Sequence, residues 1–172
     1  PQNRVFVNRT LNLNHIKLVG FDMDYTLVTY NVPAFEDLTY KIVTRKLVEN
    51  LGYPKSVLDL KFDSKFIIRG LVVDIERGNF LKVNRYGYVK KASHGTRFLS
   101  FEEQKNIYSS ASIDWSDPRY YIIHTLFSLA EGGLFAQLID LFEKEGKPIN
   151  LKQTFSEIRA CVDDAHSEGS LK

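Results

Sequence analysis

The chain has 172 residues, enough for one sizeable hydrophobic core. Hydrophobic residues make up 44% and charged residues 26%, an ordinary balance for a soluble globular protein, and a net charge of only +2 argues against a nucleic-acid surface. No apolar stretch approaches membrane-span length, Pro1-Gln2-Asn3-Arg4 lacks a signal-peptide layout, and the single cysteine, Cys161, excludes an intramolecular disulfide and fits a reducing, cytoplasmic setting.

Val5 to Leu13 mixes polar and apolar residues and reads as an arm crossing a core. Ile16 to Phe21 is a short apolar run, suited to a strand buried on both faces. It ends in Asp22 and Asp24, with Thr26 two residues further on. In open α/β sheets, ligands bind just past the carboxyl ends of strands. Side chains two apart on an extended segment point the same way, so both carboxylates are expected to face one pocket. One carboxylate can attack a phosphoryl group, and the other can protonate the leaving oxygen and then activate water. Mg²⁺ would hold carboxylate and phosphate together and offset their repulsion.

An apolar strand followed by Asp-x-Asp-x-Thr resembles the first motif of the haloacid-dehalogenase-like phosphohydrolases. The longer string Gly20-Phe21-Asp22-Met23-Asp24-Tyr25-Thr26-Leu27 is similar, more narrowly, to the cytosolic purine 5′-nucleotidases of that superfamily. Val7-Asn8-Arg9-Thr10 resembles the Arg/Asn-rich entry to that family's first strand. The resemblance implies an α/β fold, a partial Rossmann-like core carrying an inserted mixed α+β cap. On that division, residues 1–32 belong to the core and residues 33–172 to the cap and substrate-binding region. The same resemblance makes Asp22 the nucleophile and Asp24 the general acid/base. Mg²⁺ would be held by the Asp22 carboxylate and the Asp24 main-chain carbonyl.

Pro33 opens a helix, and Phe35, Leu38, Ile42, Val43, Leu47 and Leu51 follow helical spacing up to Gly52. The middle of the chain is β-rich. Phe66–Ile75, Phe80–Val83 and Tyr88–Lys91 are separated by the turn signals Arg77-Gly78-Asn79 and Arg85-Tyr86-Gly87, which predicts a three-stranded meander. Gly78–Val83 resembles a matching hairpin in the purine nucleotidases, and His94-Gly95-Thr96-Arg97-Phe98 also has a counterpart there. His94 or Arg97 is a candidate phosphate or base contact, against a plain turn with a solvated Arg. A short helix is expected from Phe101. After Pro118, the apolar stretch from Tyr120 to Phe142 predicts a helix pair interrupted at Gly132-Gly133.

Two segments carry the substrate expectations. Leu126-Phe127-Ser128-Leu129-Ala130-Glu131 resembles a family segment whose Phe stacks on the purine and whose next residue touches the ligand; here these are Phe127 and Ser128, the latter where the purine enzymes have Asn. The plain alternative for Phe127 is core packing. In the last helix, Arg159, Asp163 and His166 are spaced i, i+4 and i+7 and share one face, beside an apolar face of Ile158, Val162 and Ala165. A solvent-side Arg159–Asp163 ion pair is the plain reading. By resemblance to the family's substrate helix, Arg159, Asp163, His166 and Lys172 line the nucleoside pocket. Asp164 stands where an aromatic is usual. Asp114-Trp115 occupies the region where the vertebrate enzyme has a basic effector contact, and His124 replaces its Asn. A carboxylate there would repel an effector phosphate, so weak or absent activation by ATP-like effectors is expected.

The superfamily reaction also requires a Ser/Thr after a second strand, a phosphate-neutralising Lys and a later acidic motif. None of these suggests itself within the sequence, so the chain is expected to be the N-terminal part of a longer enzyme. The expected function is Mg²⁺-dependent hydrolysis of a purine nucleoside 5′-monophosphate such as IMP or GMP, without nucleic-acid or membrane partners, and with homo-oligomerisation left open. The rivals are a phosphatase of the superfamily acting on another small phosphate, and a non-catalytic nucleotide-binding fragment.

Overall fold

The computed structural model describes Asn8 and residues 12–63, 65–108, 112–125 and 128–169. The chain divides into two compact units, Pro1–Asn31 and Val32–Lys172.

In the first unit, a 3₁₀ turn spans Leu13–His15, with the Asn12 side chain accepting from the Asn14 N–H. Residues 16–21 are not a strand. A strand exists only where a neighbour completes its hydrogen-bond ladder, and among the described residues this run has none. Its side chains are open to solvent, Leu18 at 89% and Phe21 at 70%. The Rossmann-like core expected from the sequence is therefore not formed by the described residues; the only sheet among them lies in the second unit and is antiparallel.

The second unit is a mixed α/β body. Helix α1 (Val32–Leu51) carries Pro33 in its first turn, where no backbone N–H is required, and ends at Gly52, whose φ of +74° suits a helix stop. Its buried face is Glu36, Thr39, Tyr40, Val43, Thr44 and Leu47. Leu38 and Leu51, expected inside, are 44% and 45% exposed. The two other long helices decide which stripe of α1 is covered, and the Tyr40 hydroxyl, donating to Gln137 Oε1 at 2.5 Å, lies on that stripe.

Strands β1 (Val72–Asp74), β2 (Asn79–Val83), β3 (Val89–His94), β4 (Arg97–Phe98) and β5 (Tyr120–Ile122) form one sheet in the order β4-β3-β2-β1-β5. The β2 and β3 strands of the expected meander are present, whereas the long first strand shrinks to three residues. Helix α2 (Phe101–Tyr108) follows β4. Tyr120 to Ile122, expected in a helix, instead pairs with β1 through Val73↔Tyr121, as its aromatic and β-branched side chains favour.

Helix α3 (Leu129–Lys144) runs through Gly132-Gly133 without the expected break. A Cβ on Gly132 would stand 2.7 Å from Ile123 Cδ1, and one on Gly133 would stand 3.4 Å from Phe62 Cε2. The glycines weaken the helix locally but allow close packing, and that contact outweighs their propensity cost of about 1 kcal/mol each. Helix α4 (Leu151–Ser167) starts at Asn150, whose side chain accepts from the Gln153 N–H. One face of the sheet, with Val73 and Phe80, packs into a core shared by α1, α3 and α4; the other buries Val72, Leu81, Ala92 and Ile113.

Candidate functional site

The acidic motif is a tight loop closed by backbone bonds. The Met23 carbonyl accepts from the N–H groups of Thr26, Leu27 and Val28 at 3.3, 3.0 and 3.0 Å, and Tyr25 N–H donates to the Val28 carbonyl at 2.8 Å. Tyr25 has φ +59°, an uncommon value for a residue with a side chain and a feature of backbone held under constraint. Asp22 and Asp24 are both exposed. Asp22 Oδ1 accepts from the Met23 N–H at 2.9 Å. Asp24 Oδ1 accepts from the Tyr30 hydroxyl at 2.6 Å, and that bond to a carboxylate is the first cause of a raised Tyr30 phenol pKa. Tyr30 also packs against Tyr25, with ring centroids 5.6 Å apart.

Among the described residues no three His, Cys, Asp or Glu side chains converge as a metal cluster. The loop's donors are nonetheless all oxygens. No backbone N–H of the described residues donates to the Asp24 carbonyl. One carboxylate and one carbonyl match the small protein share of a Mg²⁺ shell whose other ligands are phosphate and water.

In the second unit, the described sequence-predicted substrate residues are Ser128, at the start of α3, and Arg159, Asp163 and His166 on α4, and Arg159 meets the neighbouring strand β5. The Arg159 guanidinium sits over the Tyr121 ring, 4.7 Å from its centroid. The Tyr121 hydroxyl donates to Glu131 Oε1 at 2.7 Å and lies 3.3 Å from Ser128 Oγ, which in turn is 2.9 Å from Thr125 Oγ1. Ser128 and Glu131 are buried, at 7% and 5% exposure. Burial, followed by the neighbouring carboxylate, moves the Tyr121 phenol pKa up. Phe127 and Lys172 lie outside the described residues.

Asp163 is exposed, and among the described residues no Arg159–Asp163 ion pair forms. His166 is also exposed and donates from Nδ1 to the Val162 carbonyl at 2.9 Å. Asp164, where the resemblance places an aromatic, instead meets Lys46 of α1 at 3.2 Å, alongside Glu168 at 2.7 Å. A carboxylate at this position thus ties α4 to α1.

The other candidates are engaged with the protein itself. His94 bridges Asn79 Oδ1 and Glu143 Oε1, each at 2.8 Å, and Arg97 pairs with Glu103 at 3.2 Å. Asp114 accepts from Ser116 N and Oγ, which holds its carboxyl below the usual range. His124 bonds the Ile122 carbonyl.

A model of the 5′ nucleotidase family matches residues 5–172.

The chain belongs to the 5′ nucleotidase family.

Among its relatives, the 5′-nucleotidase domain-containing protein 1 of Homo sapiens is 35% identical over 165 residues, covering 90% of this chain and 36% of that protein. Its Bos taurus counterpart is 35% identical over 138 residues, covering 74% of this chain and 30% of that protein. The 5′-nucleotidase domain-containing protein DDB_G0275467 of Dictyostelium discoideum is 30% identical over 175 residues, covering 99% of this chain and 29% of that protein. This family member therefore spans about a third of the length of the curated relatives it matches.

Sequence reasoning missed Tyr30, Tyr121 and Glu131. Tyr30 gives no signal, because side chains six residues apart meet only where the chain folds back between them, as it does in the loop closed on the Met23 carbonyl. Tyr121 and Glu131 were hidden by the expected helix from Tyr120, which would have turned both side chains elsewhere. Also missed was the buried Asp74. Arg119 donates to it from Nε and Nη2 at 2.8 and 2.7 Å, and the Tyr108 hydroxyl donates at 2.7 Å.

Proposed function

We propose that this chain is part of a Mg²⁺-dependent 5′-nucleotidase that hydrolyses purine nucleoside 5′-monophosphates of the IMP and GMP type. The observation that carries the reading is the Met23-closed loop. It presents two exposed carboxylates, and its second acid is held at one oxygen by Tyr30, leaving Oδ2 to handle a proton.

In this reading an Asp22 carboxylate oxygen attacks phosphorus, and the bond from phosphorus to the nucleoside O5′ breaks. Asp24 delivers its proton to that oxygen, and the nucleoside leaves. Asp24 then takes a proton from water, whose oxygen attacks the aspartyl-phosphate and releases inorganic phosphate. Bound Mg²⁺, held by the Asp22 carboxylate and the Asp24 carbonyl, would supply charge neutralisation at the phosphoryl oxygens. Arg159, with Phe127, Ser128, Asp163, His166 and Lys172, belongs to the nucleoside side of the site. The exposed run 16–21 is proposed to become a buried strand when a parallel sheet from the rest of the protein covers it, an apolar patch of this kind being a mark of an interface.

The test is phosphate release from IMP and GMP by the full-length protein. Asp22→Asn is expected to abolish turnover, because an amide is not a comparable nucleophile. Asp24→Asn is expected to lose about 100- to 10,000-fold in kcat. Turnover at the unsubstituted level in either variant would refute the assigned roles. If the protein were instead a phosphatase for another small phosphate, Arg159→Ala and Asp163→Ala would leave its kinetics unchanged.

A further inference from the structure

We infer that Tyr121 and Glu131 form a positioning pair that orients the Arg159 guanidinium toward the nucleotide; this rests on the proposed nucleoside-side role of Arg159. A half-buried arginine is normally held by a carboxylate. Arg159 is held by a ring: among the described residues it makes no ion pair and no hydrogen bond, and its guanidinium carbon lies 4.7 Å from the Tyr121 centroid. The cation is therefore oriented without using its N–H donors, which remain available to acceptors on a ligand.

The ring itself is fixed on two sides. Phe155 packs against it edge-on, with centroids 5.1 Å apart and planes at 60°. Its hydroxyl is anchored to Glu131, a carboxylate only 5% exposed. A phenol that donates to a carboxylate gains electron density over its ring, which strengthens the attraction for a cation on the ring face. Glu131 therefore acts on Arg159 through Tyr121 rather than by direct pairing. A direct Glu131–Arg159 salt bridge would satisfy the cation and occupy the donors that a nucleotide requires.

The experiment is steady-state kinetics with IMP on the full-length protein, alongside thermal unfolding. Tyr121→Leu is expected to raise KM about tenfold with kcat changed less than about twofold, the size of a half-buried cation–π contact, between the exposed and the desolvated limits. Tyr121→Phe, which keeps the ring and loses the anchor, is expected to raise KM about threefold. In an Arg159→Ala background, Tyr121→Phe and Tyr121→Leu should add nothing. Additive effects in that background overturn the inference, as does unchanged KM in Tyr121→Phe and Tyr121→Leu while Arg159→Ala raises it. Should Tyr121→Leu fail to fold, Tyr121→Phe with and without Arg159→Ala decides alone. If Arg159→Ala by itself leaves KM unchanged, the nucleoside-side role of Arg159 falls and this inference falls with it.

Discussion

Residues 12–31 and residues 32–169 both carry apolar side chains, and they treat them in opposite ways. In the second unit, Leu47, Val73, Phe135 and Ile158 are each fully buried among three helices and a sheet. In the first, Leu18, Phe21, Met23 and Leu27 are all more than half exposed. The second unit has what a core needs, several elements closing on one another. The acidic unit has a loop with its own backbone bonds and, among its described residues, no second element to cover its apolar run. The exposed carboxylates and the buried polar pairs thus sit on different stretches of chain: Asp22 and Asp24 on the loop of the first unit, and pairs such as Asp74–Arg119 in the second.

That contrast can be broken by substitution. The largest effect belongs to Asp22→Asn, which should eliminate turnover yet shift the melting temperature hardly at all, since exposed substitutions usually stay within about 0.5 kcal/mol. A large loss of stability in that variant would put the loop inside the cooperative core.

Next comes Arg119→Met. Asp74 is fully buried, and losing its two-pronged partner leaves its carboxylate with the Tyr108 hydroxyl at 2.7 Å, the Arg77 N–H at 3.3 Å and the more distant Arg77 guanidinium at 3.7 Å. Breaking such a pair costs about 3–5 kcal/mol, so Tm should fall on the order of 10 °C. An Arg119→Met protein as stable as its parent would show the pair to be dispensable.

Glu36 works in the other direction. It is 3% exposed, its Oε1 has no hydrogen-bond partner among the described residues, and burial raises its carboxyl pKa. A raised folded-state pKa means that stability is fully present where Glu36 is protonated in both states and is lost as pH rises through the folded-state value. Glu36→Met should therefore stabilise by about 1–3 kcal/mol at pH 7, and the gain should shrink toward about pH 4. Thermal unfolding at the two pH values checks the sign; a gain that grows on acidification contradicts it.

The smallest expected change is Tyr30→Phe. It removes the bond to Asp24 Oδ1 while keeping the ring packed on Tyr25. Under the proposed role of Asp24, freeing its side chain to rotate should lower kcat about threefold to tenfold with KM unchanged, in keeping with the loss of a single ordinary hydrogen bond. A kcat equal to that of the parent would remove Tyr30 from the site.

What the residues alone determined is local. Pro33 and Gly52 bracket α1 because one tolerates a first turn and the other a stop. The Gly78 turn sets β2 off from β1, and the 3.6 period of Ile158, Val162 and Ala165 marks the inner side of α4. The Asp22-x-Asp24-x-Thr26 spacing was legible for the same reason, since its members lie within one turn of chain. Tertiary structure decided the rest, because it depends on residues far apart in sequence. Pairing with β1 made Tyr120–Ile122 a strand, where a run of aromatic and β-branched residues fits either period. Close contact with Ile123 and Phe62 kept α3 whole across two glycines. Packing of β5 against α3 and α4 brought Tyr121 to Glu131 and Arg159, ten and thirty-eight residues away, and no periodicity encodes such a meeting.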